Sequence, residues 1–310
     1  MDETFRNLLK KQGYAFCGEH SCVKTCLWLK KAMVGEGFCY KQKFYGIQSH
    51  RCVQMTPIVS ACTQNCLYCW RPAEYMSKEK IVDKPEDIVD KCIEAQRKLI
   101  VGFKGNPKVK KEVFEEAWNP KHFAISLAGE PMLYPYMSEF LEEIHKRDMT
   151  SFLVTNGTLP NALKNLKVMP TQLYISLSAP NEKIYNSLCQ PIIKQNWENL
   201  NKTLELLPSL DTRKVIRITV VKGYNDTDLE GYAKLISKAN PHFVEVKSFV
   251  SVGNAKYRLS PKNQMEHTEI MEMADKLASL LGWKVIDEKE ESRVALVAKE
   301  DYPWRILKVK

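Results

Sequence analysis

Three cysteines stand four and three residues apart in Cys62-Thr63-Gln64-Asn65-Cys66-Leu67-Tyr68-Cys69. A thiolate every three or four residues lets one tight turn wrap a single inorganic centre. Three are one short of the four that close a structural zinc site or an all-cysteine iron–sulfur cluster. Read as a cluster loop, the trio leaves one metal with an open position, which can bind and activate a ligand. Read as a zinc knuckle, it needs a distant Cys or His to complete it.

Further cysteines lie upstream. Cys26, Cys39 and Cys52 follow one another at intervals of thirteen, preceded by Cys17 and Cys22. Ten cysteines with no secretory signal at the start read as metal ligands of a reducing compartment rather than as disulfides. Spacing alone leaves Cys26, Cys39 and Cys52 open between a second metal centre, a zinc site and unrelated buried thiols. Lys41 and Lys43 lie just beyond Cys39. Cys92 falls on an apolar helical face, and Cys17, Cys22 and Cys189 read as structural.

Other polar and glycine residues recur where strands end. They are Gly129-Glu130-Pro131, Asn156-Gly157, Ser176 and Ser178 on one strand, and Arg217 on the next. The serines offer hydroxyls to a ribose or a carboxylate, and alternation places both on one face. Arg217 suits a carboxylate ligand, or else an ion pair with Glu245.

At 310 residues the chain can bury a sizeable core, and its hydrophobic and charged fractions are those of a soluble globular protein. No apolar run reaches the ~20 residues of a membrane span, so the expectation is a cytoplasmic protein with no membrane contact. The net charge of +9 fits a polyanionic partner such as RNA, or simply a lysine-rich surface. Lys104, Lys108, Lys110 and Lys111, with Arg305, Lys308 and Lys310, are candidates for the basic surface.

The positioning elements follow from periodicity. Residues 1–52 show only an opening amphipathic turn, and 35–46 reads as a turn-rich hairpin with lysines between aromatics. From residue 53 strand and helix signals alternate. Strands are expected at 53–60, 122–127, 152–155, 172–178, 214–221 and 243–249. Helices are expected at 85–102, 135–147, 160–166, 195–207, 228–239 and 263–281, with a basic exposed linker at 103–111. A two-stranded hairpin at 283–288 and 293–298 ends the chain. Six strands alternating with helices argue an α/β parallel sheet of right-handed crossovers, with the site at the strands' carboxyl ends. The expected division is a Cys-rich extension at 1–52, a core at 53–250 and a helix plus hairpin at 251–310.

The cysteine loop, with an aromatic before its third cysteine, resembles that of the radical S-adenosylmethionine (SAM) enzymes. Gly129-Glu130-Pro131 resembles their Gly-Gly-Glu-Pro stretch, with Ala128 replacing the first glycine. The resemblance implies a partial (β/α)6 barrel. It also implies a 4Fe-4S cluster on Cys62, Cys66 and Cys69 whose open iron takes SAM, cleaved reductively to a deoxyadenosyl radical. Gly129, Glu130 and Pro131 would meet the SAM amino group, with Asn156, Ser176, Ser178 and Arg217 nearby.

Cys26, Cys39 and Cys52, the run Cys69-Trp70-Arg71-Pro72, and Ser126-Leu127-Ala128-Gly129-Glu130-Pro131 together resemble the tRNA 4-demethylwyosine synthases of wybutosine biosynthesis. That family implies a second 4Fe-4S cluster on Cys26, Cys39 and Cys52. It also implies pyruvate as co-substrate and tRNA-Phe carrying 1-methylguanosine as partner. A lysine forms a Schiff base with pyruvate, assigned here to Lys41 with Lys43 as its rival. No segment before Cys62 is long enough for the fused reductase of eukaryotic relatives, so a separate flavodoxin- or ferredoxin-type donor is expected, with a monomeric enzyme. The alternatives are a two-cluster radical SAM enzyme acting on a peptide, and a non-catalytic zinc RNA-binding protein.

Overall fold

The computed structural model describes residues 1–75 and 80–308. Among these, ten strands make one sheet in the order β1-β2-β3-β4-β5-β6-β7-β8-β10-β9. Its centre is six parallel strands: β3 (Cys52–Thr56), β4 (His122–Ile125), β5 (Thr150–Thr155), β6 (Gln172–Ser176), β7 (Arg213–Val220) and β8 (Phe243–Ser248). The sequence places all six, with no end differing by more than four residues. The short antiparallel pair β1 (Ala15–Phe16) and β2 (Cys22–Val23) extends one edge. The expected terminal hairpin, β9 (Lys284–Lys289) and β10 (Val294–Ala298), extends the other, with β10 antiparallel to β8. Both ends of the chain thus continue one sheet.

Its two faces bury different things. One carries Val53, Ile125, Leu153, Ile175, Ile218 and Val246 against the crossover helices. These are α4 (Pro85–Ile100), α5 (Lys111–Trp118), α6 (Met137–Lys146), α7 (Pro160–Lys164), α8 (Glu182–Cys189), α9 (Asn196–Leu206), α10 (Leu229–Ala239) and α11 (His267–Leu281). The opposite face carries Phe152, Tyr174, Val215 and Phe243, and buries them against Tyr40, Phe44 and Tyr45. Those aromatics belong to a helix at Tyr40–Tyr45, the third after Glu3–Lys11 (α1) and Leu27–Met33 (α2), and hence α3.

The amino-terminal segment therefore corrects the expectation of a hairpin over 35–46. Six residues are too few to be helical alone. Here Cys39 sits at the N-cap, Gly46 closes the end at φ 76°, and tertiary burial of Tyr40, Phe44 and Tyr45 supplies the stability. Helices α2 and α8 escape the sequence reading for a related reason: both are short. Cys26 caps α2 by accepting from Leu29 N at 3.3 Å, and Asn181 caps α8 by accepting from Ile184 N at 3.1 Å. The linker expected at 103–111 is a 3-10 turn over Val101–Gly105 running into α5. No helix among the described residues is long and apolar enough to cross a membrane.

Candidate active site

The carboxyl ends of the parallel strands enclose a cavity of about 300 Å³. Cys62, Cys66 and Cys69 line one end, and Arg217 and Lys247 also line it, with Gly129, Glu130, Pro131, Asn156 and Ser176. The loop after β3 carries the cysteines because Gly129 lets the next loop lie against it. Gly129 has φ 72°, and a Cβ there would run into the Ile58 carbonyl and lie 2.7 Å from that of Ala61. Glu130 N donates to the same Ala61 carbonyl at 2.9 Å.

The Glu130 carboxylate is committed to the protein. It accepts from Thr155 Oγ1 at 2.6 Å, Asn156 N at 2.8 Å and Met132 N at 3.0 Å. Burial raises its pKa, against the pull of these bonds. Its role in the geometry is to tie the ends of β4 and β5 together. Asn156 is then held so that Nδ2 donates to Thr63 Oγ1 at 2.8 Å and reaches the Cys62 sulfur at 3.7 Å.

The serines divide, contrary to the shared face expected of them. Ser176 ends β6 and lines the cavity. Ser178 lies beyond the strand, where alternation no longer holds. It is 2% exposed and accepts from Tyr68 OH at 2.8 Å, bracing the back of the cysteine loop.

Arg217 lines the cavity but is strongly paired. Nε and Nη2 donate to Glu245 Oε2 at 2.9 and 2.6 Å, and Nη2 also donates to Tyr40 OH. The ion-pair reading of this residue is thus realised. Lys247, which the sequence reading missed, lies two residues along β8 from Glu245. Its Nζ donates to Ser292 O at 2.8 Å, and burial lowers its pKa to about 8, with Arg217 adding to the effect.

Lys41 and Lys43 separate clearly. Lys41 is 7% exposed, with Nζ over the Tyr174 and Phe152 rings. Burial, then the neighbouring Arg217, lowers its pKa to about 8. Lys43 is half exposed, donating to Glu288 O at 2.6 Å and pairing with Asp287 at 2.9 Å.

Cys26 and Cys39 cap α2 and α3, and Cys52 opens β3. The three lie within electrostatic reach of one another and of Lys41. Among the described residues no disulfide joins any of the ten cysteines. Burial pushes Cys39 up to about 11 and Cys62 up to about 12, so both are protonated thiols in the metal-free protein. Among the described residues no three His, Cys, Asp or Glu side chains converge on one metal ion. A trio of thiolates holds a cubane through three separate irons, so convergence on one point is not required. One further observation fits a cluster at Cys62, Cys66 and Cys69. Arg71 lines the same cavity, and its Nη1 is buried with no partner among the described residues.

Of the candidate basic surface, Lys104, Lys108, Lys110, Lys111 and Lys308 are exposed. Lys108 pairs with Glu36 at 2.9 Å. Arg305 is turned inward, bonded to Asp301, Asp287 and Phe44 O, and does not join the surface. Lys310 lies outside the described residues.

A parallel α/β sheet with a three-cysteine loop after its first parallel strand and a cavity across its strand ends is the architecture of a radical SAM enzyme. The Radical SAM superfamily model matches residues 56–236, and a Wyosine base formation model matches 238–299. The S-adenosyl-L-methionine-dependent tRNA 4-demethylwyosine synthase of Pyrococcus abyssi is 52% identical over 308 residues, covering 97% of this chain and 90% of that one. A solved structure described as TYW1 with a lysine-pyruvate adduct bound superposes with a TM-score of 0.90 at 39% identity, covering 100% of this chain and 99% of that one. A crystal structure of archaeal TYW1 gives 0.82 at 36% identity, covering 99% and 100%.

The chain belongs to the tRNA 4-demethylwyosine synthase family. It is an enzyme that uses SAM and an iron–sulfur cluster to modify tRNA, which sets aside the non-catalytic zinc-binding and peptide-modifying alternatives.

Proposed function

We propose that this enzyme joins pyruvate to N1-methylguanosine beside the anticodon of tRNA-Phe, closing the third ring of 4-demethylwyosine. Cys62, Cys66 and Cys69 would hold the SAM-binding 4Fe-4S cluster, and Cys26, Cys39 and Cys52 a second. When bound, SAM and its cluster supply hydrogen abstraction by a carbon radical.

The observation that carries this reading is the Lys41 amine. It is buried beside Cys39 and Cys52 and depressed toward neutrality, as a nucleophile toward a keto acid must be. Lys41 Nζ would attack the pyruvate carbonyl and expel water, leaving an imine that fixes the co-substrate in the barrel. Arg217 and Glu245 hold α3, and so Lys41, in place through Tyr40 and Tyr45. The lysine-pyruvate adduct named for the 39% identical structure supports the same reading.

Gly129, Glu130 and Pro131 line the cavity and would shape the SAM site. Asn156 and Ser176 face it, and Ser178 acts through Tyr68. The target base lies in a single-stranded loop, so presenting it costs little unstacking. The enzyme would act as a cytoplasmic monomer and draw its electron from a separate flavodoxin- or ferredoxin-type donor.

The test is an anaerobic reaction with dithionite, SAM, pyruvate and tRNA-Phe carrying 1-methylguanosine, followed by nucleoside mass spectrometry. Formation of 4-demethylwyosine only when pyruvate is present supports the proposal. Turnover of SAM with unchanged tRNA rejects it.

A further inference from the structure

Arg71 follows the cysteine loop by two residues and turns back over it. It is 3% exposed and lines the cavity with Cys62, Cys66 and Cys69. Nη2 donates to Gln64 O at 2.6 Å, within the loop itself. Nη1 is buried and finds no hydrogen-bond partner among the described residues. A charged donor buried without an acceptor is costly, and native structures avoid it unless a bound group completes the site.

Bracing the loop is not what Nη1 is for. That task falls to a second arginine, Arg258, beyond the 3-10 turn Gly253–Tyr257. Its Nε donates to Leu67 O at 3.1 Å, and Nη2 donates to Cys69 O and, at 3.3 Å, to Arg71 O. Asn254 N donates to Trp70 O at 2.8 Å. The backbone of the loop is therefore held from outside, while the Arg71 guanidinium lies on the cavity side.

Other cations at the cavity are engaged elsewhere. Arg217 is matched by Glu245, and Lys247 is bonded to Ser292 O. Arg71 is thus the cation that serves the cysteine end. Three thiolates around an iron–sulfur core carry net negative charge, which grows by one when an electron enters. Sulfur atoms of such a core accept hydrogen bonds, and both these bonds and nearby charge set its reduction potential.

We propose that Arg71 donates its free Nη1–H to the sulfur of the cluster held by Cys62, Cys66 and Cys69, and raises that cluster's reduction potential. Arg71 acts on the charge of the cluster through that hydrogen bond. One electron enters from the external reductant, and no bond or proton moves with it. The inference rests on the radical SAM class and not on the pyruvate chemistry, so either can fail alone.

The experiment compares the full-length wild type, Arg71→Gln and Arg71→Lys after anaerobic reconstitution. Iron content is measured, followed by a dithionite redox titration monitored by electron paramagnetic resonance, with and without SAM. The signal that responds to SAM reports this cluster rather than any second one. Arg71→Gln should lower the reduced-to-oxidised ratio at fixed potential by tenfold or more, equivalent to ~59 mV for one electron. Arg71→Lys keeps the charge and should stay close to wild type. A merely structural role would lower the melting temperature of both variants and leave the midpoint where it was.

An unchanged midpoint in Arg71→Gln overturns the proposal. So does a weakening of SAM binding with no shift in the SAM-free cluster, which would assign Nη1 to the SAM carboxylate. If Arg71→Gln takes up no cluster, Arg71→Lys decides: loading with a wild-type midpoint supports the charge requirement, and failure of both to load overturns it.

Discussion

Arg217 and Glu245 face each other across β7 and β8, guanidinium to carboxylate at 2.6 Å, with Glu245 wholly buried. Tyr40 and Tyr45 of α3 donate to the same carboxylate at 3.2 and 2.7 Å. One buried ion pair thus links two barrel strands to the helix that carries Lys41. Glu245→Gln leaves Arg217 buried with its charge unmatched, and should cost about 3–5 kcal/mol. Urea denaturation measures this. Adding Arg217→Met should recover part of the loss, and a single-variant cost below about 1 kcal/mol would show the pair to be incidental.

Gly129→Ala tests the approach of the two loops. The substitution meets strain twice, from φ 72° and from the Ile58 and Ala61 carbonyls. Strained backbone alone costs about 1–3 kcal/mol, and the clash adds to it. The expected result is loss of SAM binding by calorimetry together with a lower melting temperature. Wild-type values for both would refute the close packing.

Lys41 and Lys43 should differ in covalent chemistry. Borohydride added with pyruvate should reduce an imine and fix a pyruvate-derived adduct on Lys41, located by peptide mass spectrometry. Lys41→Ala should abolish trapping. Lys43→Ala should retain it, because Lys43 Nζ is held at Asp287 and Glu288 O on the outside. Trapping that survives in Lys41→Ala moves the role to another amine, with Lys247 the first to examine.

His122 should make the fold acid-sensitive. Its Nε2 accepts from Gln48 N at 3.0 Å, so Nδ1–H donates to Thr150 Oγ1 at 2.7 Å and the ring is neutral. Burial, then Arg51, lowers its pKa to about 3. In the unfolded chain the imidazole protonates near its ordinary 6.5. The unfolded state therefore binds the extra proton first as pH falls. Its contribution is complete above 6.5 and is lost progressively down to about 3, with about 2–3 kcal/mol gone by pH 4.5. Urea midpoints at pH 7 and 4.5 should diverge more in the wild type than in His122→Gln. Equal divergence would remove His122 as the cause.

Binding of tRNA should weaken with salt, and the exposed lysines should contribute unequally. Lys104 and Lys110 are solvent-facing, whereas Lys108 already pairs with Glu36. Each true phosphate contact contributes roughly 0.7 to the log–log salt slope for single-stranded nucleic acid. Alanine at Lys104 and Lys110 should flatten the slope more than alanine at Lys108. Identical slopes in all three variants would place the RNA on another face.

The sequence by itself determined the alternating order of the sheet, because buried parallel strands and amphipathic helices leave separate periodicities in a linear chain. It also determined the cysteine loop, since Cys62, Cys66 and Cys69 are neighbours along the backbone, and family resemblance supplied Cys26, Cys39 and Cys52. Folding alone decided the short elements. Helix α3 exists because Tyr40, Phe44 and Tyr45 are buried against β5 to β8, and no local propensity encodes that. Folding also decided which charges are free. Arg217, Glu130 and Arg305 look equally available in one dimension, yet each is tied up by partners distant in sequence. Lys41, Lys247 and Arg71 are set apart by burial. Electrostatic availability depends on desolvation and on neighbours across strands, and only the assembled barrel contains both.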